Sequence, residues 1–205
     1  MRHGQTDWNA IGKIMGPQPI PLNETGRKQA ESAALWMKSI PVDVVYSSPI
    51  RRAMETAEIA VRPQKNLKVI PEKGLSEIDY GHWVNRTFEE VKENFYDEWL
   101  AYREYPASID IPGGESMPVV QKRAVAVVER MRNDHPKQNV LLVSHADVIK
   151  AVLIHYLEIP LDHLQKVGSE NGSIAILRFG TTFGDRLIAM NVGPEATHLL
   201  RNVKA

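Results

Sequence analysis

A short, nearly unbroken apolar segment at residues 139–143 (NVLLV) constrains the fold of this chain most strongly. Such a run is typical of a strand that is covered on both faces within a parallel sheet. Residues 146–157 are expected to form the helix that follows it. Two more short apolar segments, 42–46 and 67–70, lie between helical patterns earlier in the chain. This alternation predicts an α/β fold with a doubly wound, mostly parallel sheet and helices on both faces.

Local signals place the ends of several elements. Asn23 is a suitable N-cap for a helix, and Pro49 can stand in the first turn of the next one. Apolar side chains between residues 120 and 131 mark one face of a long helix. Segments 173–179 and 186–192 have the composition of an antiparallel pair of strands. We expect this pair to close the fold.

Composition limits the classes of function. A chain of 205 residues is expected to form one domain, residues 1–205, with a substantial core. Its formal net charge is zero, so bulk electrostatics support neither a nucleic-acid partner nor an acidic membrane surface. It contains no cysteine, which excludes disulfides, thiolate metal sites and cysteine nucleophiles and fits a reducing cytoplasm. No segment has the apolar length of a membrane span, and no signal peptide is evident.

Polar residues with phosphate chemistry follow the predicted strands. Ser47 and Ser48 follow one apolar segment, and Ser144 and His145 follow another. Ligands of such sheets bind at the carboxyl ends of the strands. Near the N-terminus, the segment 2–4 (RHG) combines three useful groups. Arg2 offers a planar fork of hydrogen-bond donors, His3 has a ring that can act as a nucleophile, and Gly4 lets the backbone approach a ligand closely. These residues predict a phosphate site.

Four ordered segments of the chain resemble the motifs of the histidine phosphatase superfamily, also called the phosphoglycerate-mutase-like family. They are RHGQT at 2–6, SSPIRRAMETA at 47–57, LSEIDYGHW at 75–83 and VSHADVI at 143–149, with lesser matches at 21–26 and 112–116. The resemblance runs through the whole chain. It implies a phosphoglycerate-mutase-like fold and a metal-independent phosphatase that hydrolyses small phosphomonoesters through a phosphohistidine intermediate.

The resemblance also implies roles for individual residues. His3 is expected to be the nucleophile that attacks phosphorus. Arg2 and Arg52 are expected to hold the non-bridging oxygens and to stabilise the charge of the phosphoryl group. The family pattern selects Arg52 over its neighbour Arg51, which we expect to be a solvated helix residue. His145 is expected to be cationic and to donate a hydrogen bond to the phosphate from the opposite side.

Glu77 is the candidate general acid, and the same carboxylate could later activate water. That role needs a raised pKa, and the nearby Asp79 competes for the assignment. Asn9 matches a phosphate-contacting position of the family, although a turn or cap role is the alternative. The chain departs from the family pattern at Ala146, where Gly is common, and at 84–85, where many relatives have Glu-Gly.

Residues 77–116 have the character of a helical cap over the active site that governs substrate choice. They hold eight of the chain's 14 aromatic residues (4 Trp, 6 Tyr and 4 Phe in all). The alternative is that most of these rings simply pack the cap onto the core. At the other end, the family has a strand before Arg2, whereas here only Met1 precedes it. We therefore expect the natural protein to begin upstream, with a first strand that this sequence lacks.

Two other functions stay open from the sequence. A phosphoglycerate mutase should carry extra basic residues near Glu77 and in the cap, and residues 78–82 lack the basic residue expected directly after Glu77. Phosphatase activity is therefore favoured. A non-catalytic phospho-ligand binding protein needs neither His3 nor Glu77. The cations that remain as candidate substrate contacts are Lys13, Arg86, Lys92 and Arg103.

No metal or cofactor is expected, because no His-Glu-x-x-His or equivalent spacing occurs and the Arg residues supply positive charge. The expected partner is a small phosphorylated substrate, with neither a nucleic acid nor a membrane. The sequence leaves the oligomeric state open, with a homodimer among the alternatives.

Overall fold

The computed structural model describes residues 1–64 and 66–193. Within these ranges the chain forms the following helices and strands: α1 (Asp7–Ala10), α2 (Glu24–Met37), β1 (Val44–Ser47), α3 (Arg51–Ala60), β2 (Val69–Pro71), α4 (Phe88–Asn94), α5 (Tyr96–Glu104), α6 (Met117–Asp134), β3 (Val140–Val143), α7 (Ala146–Tyr156), β4 (Ile174–Thr181) and β5 (Gly184–Val192). Short 3-10 turns occupy Lys73–Leu75, Gly81–Trp83 and Leu161–Lys166.

The three central strands form a parallel sheet in the order β2-β1-β3. Val45 of β1 is in register with Val69 on one side and with Leu141 on the other. The apolar segments predicted as strands are confirmed, although β1 and β2 each begin two residues later than expected. β4 and β5 form a separate antiparallel pair, which confirms the predicted closing hairpin.

Helices cover both faces of the sheet. Successive side chains of a strand point to opposite faces. Val45 packs with apolar residues of α2 and α3, whereas its neighbour Tyr46 packs against Val127 and Met131 of α6. Helix α7 shares the largest apolar cluster with α6. The predicted α/β fold with a parallel sheet and helices on both faces is confirmed.

The first residues of the chain run beside β3 in the parallel direction. The Ser144 amide donates to the Met1 carbonyl at 2.9 Å, and the His3 amide donates to the Ser144 carbonyl at 3.0 Å. On the other side, the Arg2 amide donates to Ser173 and the Gly172 amide donates to His3. Residues 1–3 therefore join the parallel sheet to the segment that enters β4. The longer first strand expected from the family stays a prediction.

Helix starts follow local side-chain chemistry. The Asn23 side chain accepts from the Gly26 amide at 2.8 Å, so the predicted N-cap of α2 is confirmed. The expectation for Pro49 is wrong, because α3 begins at Arg51 and Ile50 is its N-cap residue. The Ser48 hydroxyl accepts from the Ile50 amide at 3.2 Å. This side-chain turn competes with helical hydrogen bonding and keeps Pro49 outside the helix.

The segment predicted as a cap, residues 77–116, contains α4 and α5 and is mainly helical. Trp83 and Tyr102 are buried in the apolar cluster that α6 and α7 share, so these two rings pack the segment onto the core. Phe88 and Tyr96 are exposed. The role of this segment in substrate choice stays a prediction. The single domain also stays a prediction, and its last residues, 194–205, lie outside the described residues.

None of the helices in the described part of the chain is long and apolar enough to cross a membrane.

Candidate active site

The four sequence motifs meet at one edge of the parallel sheet, where the strands end. β3 leads through Ser144 to His145. His3 lies beside His145, with the two ring centroids 5.1 Å apart. Arg52 enters from the first turn of α3, and its Nε lies 3.2 Å from Nε2 of His3. Because ligands of open α/β sheets bind at this edge, the cluster is the candidate active site.

The His3 ring is buried and held in one orientation by its own backbone. Nδ1 lies 2.7 Å from the Gly4 carbonyl oxygen, which can only accept, so Nδ1 carries the proton. Nε2 then keeps its lone pair and accepts from Arg52. Burial, followed by the charges of Arg52 and Arg2, lowers the pKa of His3 well below its ordinary value. The ring is therefore neutral and its Nε2 is nucleophilic.

Close backbone packing fixes the loop that carries this carbonyl. A Cβ atom on Gly26 would lie 2.0 Å from the Gln5 carbonyl oxygen, and one on Gly4 would lie 2.4 Å from the Gly26 carbonyl oxygen. Only glycine permits so close an approach of two backbones. The Gly4 amide also donates to the Thr56 hydroxyl at 3.0 Å. The loop after His3 is thus tied to the first turn of α2 and to α3.

Arg52 has no exposed surface, and each of its three guanidinium nitrogens donates one hydrogen bond. Its Nη1 donates to the Gln18 carbonyl and its Nη2 donates to the Gly16 carbonyl, each at 2.9 Å. Burial lowers the pKa of Arg52 to about 10, which leaves the guanidinium charged at neutral pH. Arg51, by contrast, is exposed and pairs with Glu55 on the surface of α3.

Arg2 and His145 each place an unused nitrogen in the site. Nε of Arg2 and Nδ1 of His145 are buried and have no hydrogen-bond partner in the described ranges. The other ends of these side chains are held, because Nη1 of Arg2 donates to the Ser169 carbonyl and Nε2 of His145 lies 2.8 Å from the Ser48 hydroxyl. A buried polar group without a partner costs about 1–3 kcal/mol, so both nitrogens favour a polar ligand.

His145 is the N-cap residue of α7 and is completely buried. Burial, followed by the charges of Arg52, His3 and Arg2, lowers the pKa of His145 well below its ordinary value. The ring is therefore neutral when no anion is bound. The cationic form expected from the family depends on a phosphate dianion, which favours protonation of a neighbouring group.

Glu77 follows β2 and the turn Lys73–Leu75, and one of its own carboxylate oxygens accepts from the Ile78 amide at 3.1 Å. Burial and the negative charge of Asp147 raise the pKa of Glu77 to about 7, against the opposing charges of Arg52 and Arg2. A carboxyl group with this pKa can carry a proton at neutral pH.

The carboxylate of Asp79, the competing acid, stabilises a backbone turn. Its side chain accepts from the Gly81 amide at 2.9 Å, and its own amide donates to Glu115 at 3.1 Å. A carboxylate used in this way supports backbone structure. The arrangement favours Glu77 as the proton donor.

A buried carboxylate that the sequence reasoning missed lies two residues after His145. Asp147 accepts from the Tyr80 hydroxyl at 2.5 Å, from the Tyr102 hydroxyl at 2.8 Å and from Nζ of Lys150 at 2.8 Å. Burial alone would raise the pKa of Asp147, but the Lys150 charge and these hydrogen bonds outweigh it and lower that pKa. Asp147 is therefore ionised and acts on Glu77 as a negative charge.

Asn9 is a helix-capping residue in this structure. Its side-chain oxygen accepts from the Thr6 amide at 3.0 Å, and its own amide donates to the Thr6 hydroxyl at 3.1 Å, which together form a capping box at α1. Asn171 also reaches Asn9, with its amide nitrogen 3.4 Å from the same oxygen. A contact between Asn9 and phosphate stays a prediction.

The four cations considered as substrate contacts each stack on an aromatic ring. Nζ of Lys13 lies 4.6 Å from the centroid of Trp8, and the other three cations lie over rings of the predicted cap. Those three pairs are Arg86 on Phe95, and Lys92 and Arg103 on Trp99. Such stacking explains their placement without a substrate.

Within residues 1–64 and 66–193, no three His, Asp or Glu side chains are grouped so that they could hold a metal ion.

Comparison with known proteins gives consistent matches over most of the chain. The family model described as histidine phosphatase superfamily (branch 1) matches residues 1–191. Phosphoserine phosphatase 1 of Hydrogenobacter thermophilus is 33% identical over 177 residues, which cover 86% of this chain and 83% of that protein. An acid phosphatase of Mycobacterium tuberculosis is 32% identical over 182 residues, which cover 87% and 84%. The solved complex of a mycobacterial glucosyl-3-phosphoglycerate phosphatase with VO3 superposes with a TM-score of 0.85 at 29% identity, covering 93% of this chain and 96% of that one.

Proposed function

Because this chain belongs to the histidine phosphatase superfamily and is a phosphatase, we propose that it hydrolyses small phosphomonoesters without a metal ion, through a phosphohistidine on His3. The phosphatase activity expected from the sequence is confirmed by the named relatives. The observation that carries the proposed mechanism is the pair of contacts on the His3 ring. Nδ1 is committed to the Gly4 carbonyl, which leaves the Nε2 lone pair beside the Arg52 guanidinium.

The first step transfers the phosphoryl group to the enzyme. Nε2 of His3 releases the hydrogen bond from Arg52 and attacks phosphorus, and the bond between phosphorus and the oxygen of the leaving alcohol breaks. Glu77 gives its proton to that oxygen, so the alcohol leaves neutral and Glu77 becomes a carboxylate. Arg2, Arg52 and His145 hold the non-bridging oxygens and offset their charge.

The second step returns the enzyme to its starting state. The Glu77 carboxylate takes a proton from a water molecule, and the oxygen of that water attacks the phosphohistidine. The bond between phosphorus and Nε2 breaks, inorganic phosphate leaves, and Glu77 again carries a proton. His3 recovers its neutral form without a tautomer change, because Nδ1 keeps its hydrogen bond to the Gly4 carbonyl throughout.

Two measurements test the proposed mechanism: hydrolysis in the presence of a metal chelator, and trapping of the phosphoryl group on the protein. We expect EDTA to leave the hydrolysis of para-nitrophenyl phosphate unchanged. With a radiolabelled phosphomonoester, label should stay on the protein after rapid denaturation in alkali and be lost in acid, as phosphohistidine is acid-labile. Loss of turnover in EDTA, or no trapped label during rapid turnover, contradicts the proposal. Label that passes to a second acidic substrate would indicate a mutase, and phosphate affinity without turnover a binding protein.

The pKa of Glu77 predicts the pH dependence of alkyl phosphate hydrolysis. The acid works only when protonated, and its pKa of about 7 lies above that of an ordinary carboxyl group. Above that pH we expect kcat/KM to fall by about tenfold per pH unit. Towards acid pH the rate should persist below pH 6.5, because the lowered pKa of His3 keeps the nucleophile neutral. The profile is measured as kcat/KM for propyl phosphate.

Asp147→Asn removes the negative charge that helps to raise the pKa of Glu77. We expect the alkaline limb to move to lower pH in this variant, because a lower pKa deprotonates the acid sooner. Asp134→Asn, at the exposed end of α6, is the matched control and should leave the limb in place. An unchanged or upward-shifted limb in Asp147→Asn contradicts the assignment of that limb to Glu77.

A cytoplasmic location rests on the cysteine-free sequence alone. This location, the homodimer and the role of residues 77–116 in substrate choice stay predictions.

A further inference from the structure

One arginine outside the motifs holds the backbone that carries Glu77. Arg123 lies on α6, and its Nη1 donates to the carbonyls of Gly74 at 2.9 Å and Ser76 at 2.7 Å. Its Nη2 donates to the Glu77 carbonyl at 3.3 Å. The same guanidinium pairs with both oxygens of Glu115, each at 3.0 Å. A two-pronged pair of this kind fixes the plane of the guanidinium.

Glu115 holds the same segment from its other end. One of its oxygens accepts from the Asp79 amide at 3.1 Å, and its own amide donates to the Asp79 carbonyl at 2.8 Å. The approach is so close that a Cβ atom on Gly114 would lie 2.3 Å from the Asp79 carbonyl oxygen. Glu77 therefore sits in the middle of a segment, residues 74–79, that is tied down on both sides by the Arg123–Glu115 pair.

The Glu77 side chain needs this support. Its carboxylate makes a hydrogen bond to the adjacent Ile78 amide, and no hydrogen bond in the described chain joins it to another element. The position of the acid therefore depends on the backbone from which it extends. Proton transfer requires hydrogen-bond distance to the leaving oxygen, and a misplacement of about 1 Å can reduce the rate by about 10²-fold.

We propose that Arg123, oriented by Glu115, is the positioning residue that places the general acid Glu77 against the leaving group. The proposal rests on the proposed role of Glu77. Among the described residues, the hydrogen bonds of the Arg123 guanidinium go to the backbone carbonyls of the segment and to Glu115, so it acts on the acid through the backbone of Glu77. Its charge also helps to lower the pKa of His145, and lysine keeps that charge. The loss of Arg123 should therefore impair the protonation of the leaving oxygen and leave phosphate binding by Arg2, Arg52 and His145 in place.

Leaving-group dependence separates this role from general support of the fold. An alkoxide is a poor leaving group and needs the proton of Glu77, whereas para-nitrophenolate leaves with little help. kcat/KM reports the steps up to phosphoryl transfer, which include the cleavage of the bond to the leaving group. A variant that is merely less folded loses the same factor with both substrates. A variant with a misplaced acid loses more with the alkyl phosphate.

The experiment compares kcat/KM for propyl phosphate and para-nitrophenyl phosphate in Arg123→Lys, Glu77→Gln and the parent protein. Lysine keeps the charge but cannot reach three carbonyls and a carboxylate in one plane. For Arg123→Lys we expect a loss of about 10²-fold with propyl phosphate and less than about threefold with para-nitrophenyl phosphate. Arg132→Lys, on the same helix and paired with Glu129 and Asp185, is the matched control and should change neither value.

The outcomes distinguish the inference from the function on which it rests. A selective loss in Glu77→Gln without one in Arg123→Lys overturns the positioning role alone. No selective loss in Glu77→Gln overturns the proposed role of Glu77. Equal losses of kcat/KM with both substrates in Arg123→Lys also overturn the positioning role, because they show that Arg123 supports the fold in general. If Arg123→Lys does not fold, Glu115→Gln takes its place, since it weakens the same pair while keeping the shape of the side chain, and it should show the same selectivity at smaller size.

Discussion

Replacing His3 by glutamine is expected to abolish phosphomonoester turnover, with a fall in kcat/KM on the order of 10⁴-fold or more. The amide can fill the space of the ring and can meet both the Gly4 carbonyl and Arg52, but it has no nitrogen lone pair that can attack phosphorus. The whole covalent route is therefore lost. The measurement is steady-state hydrolysis of para-nitrophenyl phosphate, together with the amount of label trapped on the protein.

Two controls show that the loss is chemical. His155→Gln, at the exposed end of α7, should keep the parent activity. The affinity of His3→Gln for inorganic phosphate should stay within a few-fold of the parent value, because Arg2, Arg52 and His145 still supply the donors. Turnover of His3→Gln within about tenfold of the parent rules out His3 as the nucleophile.

The second large effect is expected for Arg52→Lys, with a fall in kcat/KM of roughly 10³-fold. Arg52 binds the carbonyls of Gly16 and Gln18 and approaches His3 with one planar group. A lysine ammonium cannot meet these acceptors together and offers no fork for two phosphate oxygens. The buried carbonyls left without a donor should also lower the free energy of unfolding by about 1–3 kcal/mol.

Arg51→Lys is the matched control for this experiment, because the two arginines are adjacent on α3. Arg51 is exposed and pairs with Glu55, so this variant should stay within about twofold of the parent in kcat/KM and in stability. The two variants are compared by steady-state kinetics and by denaturant unfolding. Similar losses in both would contradict the selection of Arg52 as the phosphate-binding residue.

The strands and some helix ends could be predicted because their causes are local. The apolar segment 139–143 became β3, and the side chain of Asn23 caps α2 as its position in the sequence indicated. The prediction that Pro49 lies in the first turn of α3 is wrong, because the Ser48 hydroxyl accepts from the Ile50 amide and forms a turn there instead. Such competition between a side chain and the helix leaves no signature in hydrophobic periodicity.

The contacts that tune the site could not be predicted, because they join distant segments or involve the backbone. Asp147 bonds to Tyr80 and Tyr102, which lie 67 and 45 residues earlier in the chain. Arg52 is held by the carbonyls of Gly16 and Gln18, and every residue has such a group. Whether these carbonyls accept from Arg52 depends on where the loop that carries Gly16 and Gln18 passes in three dimensions. A carboxylate in the first turn of the helix that His145 precedes was the one available signal for Asp147.

The hydrogen bond from the His3 ring to the Gly4 carbonyl removes one means by which evolution usually adjusts a catalytic histidine. Where a carboxylate side chain orients the ring, a single codon change can delete or alter that partner. Here the partner belongs to the peptide bond between Gly4 and Gln5, which no codon change removes. A complete scan of single substitutions contains no variant that lacks it. Only backbone chemistry, such as an ester in place of that peptide bond, can weaken the acceptor and leave every side chain intact.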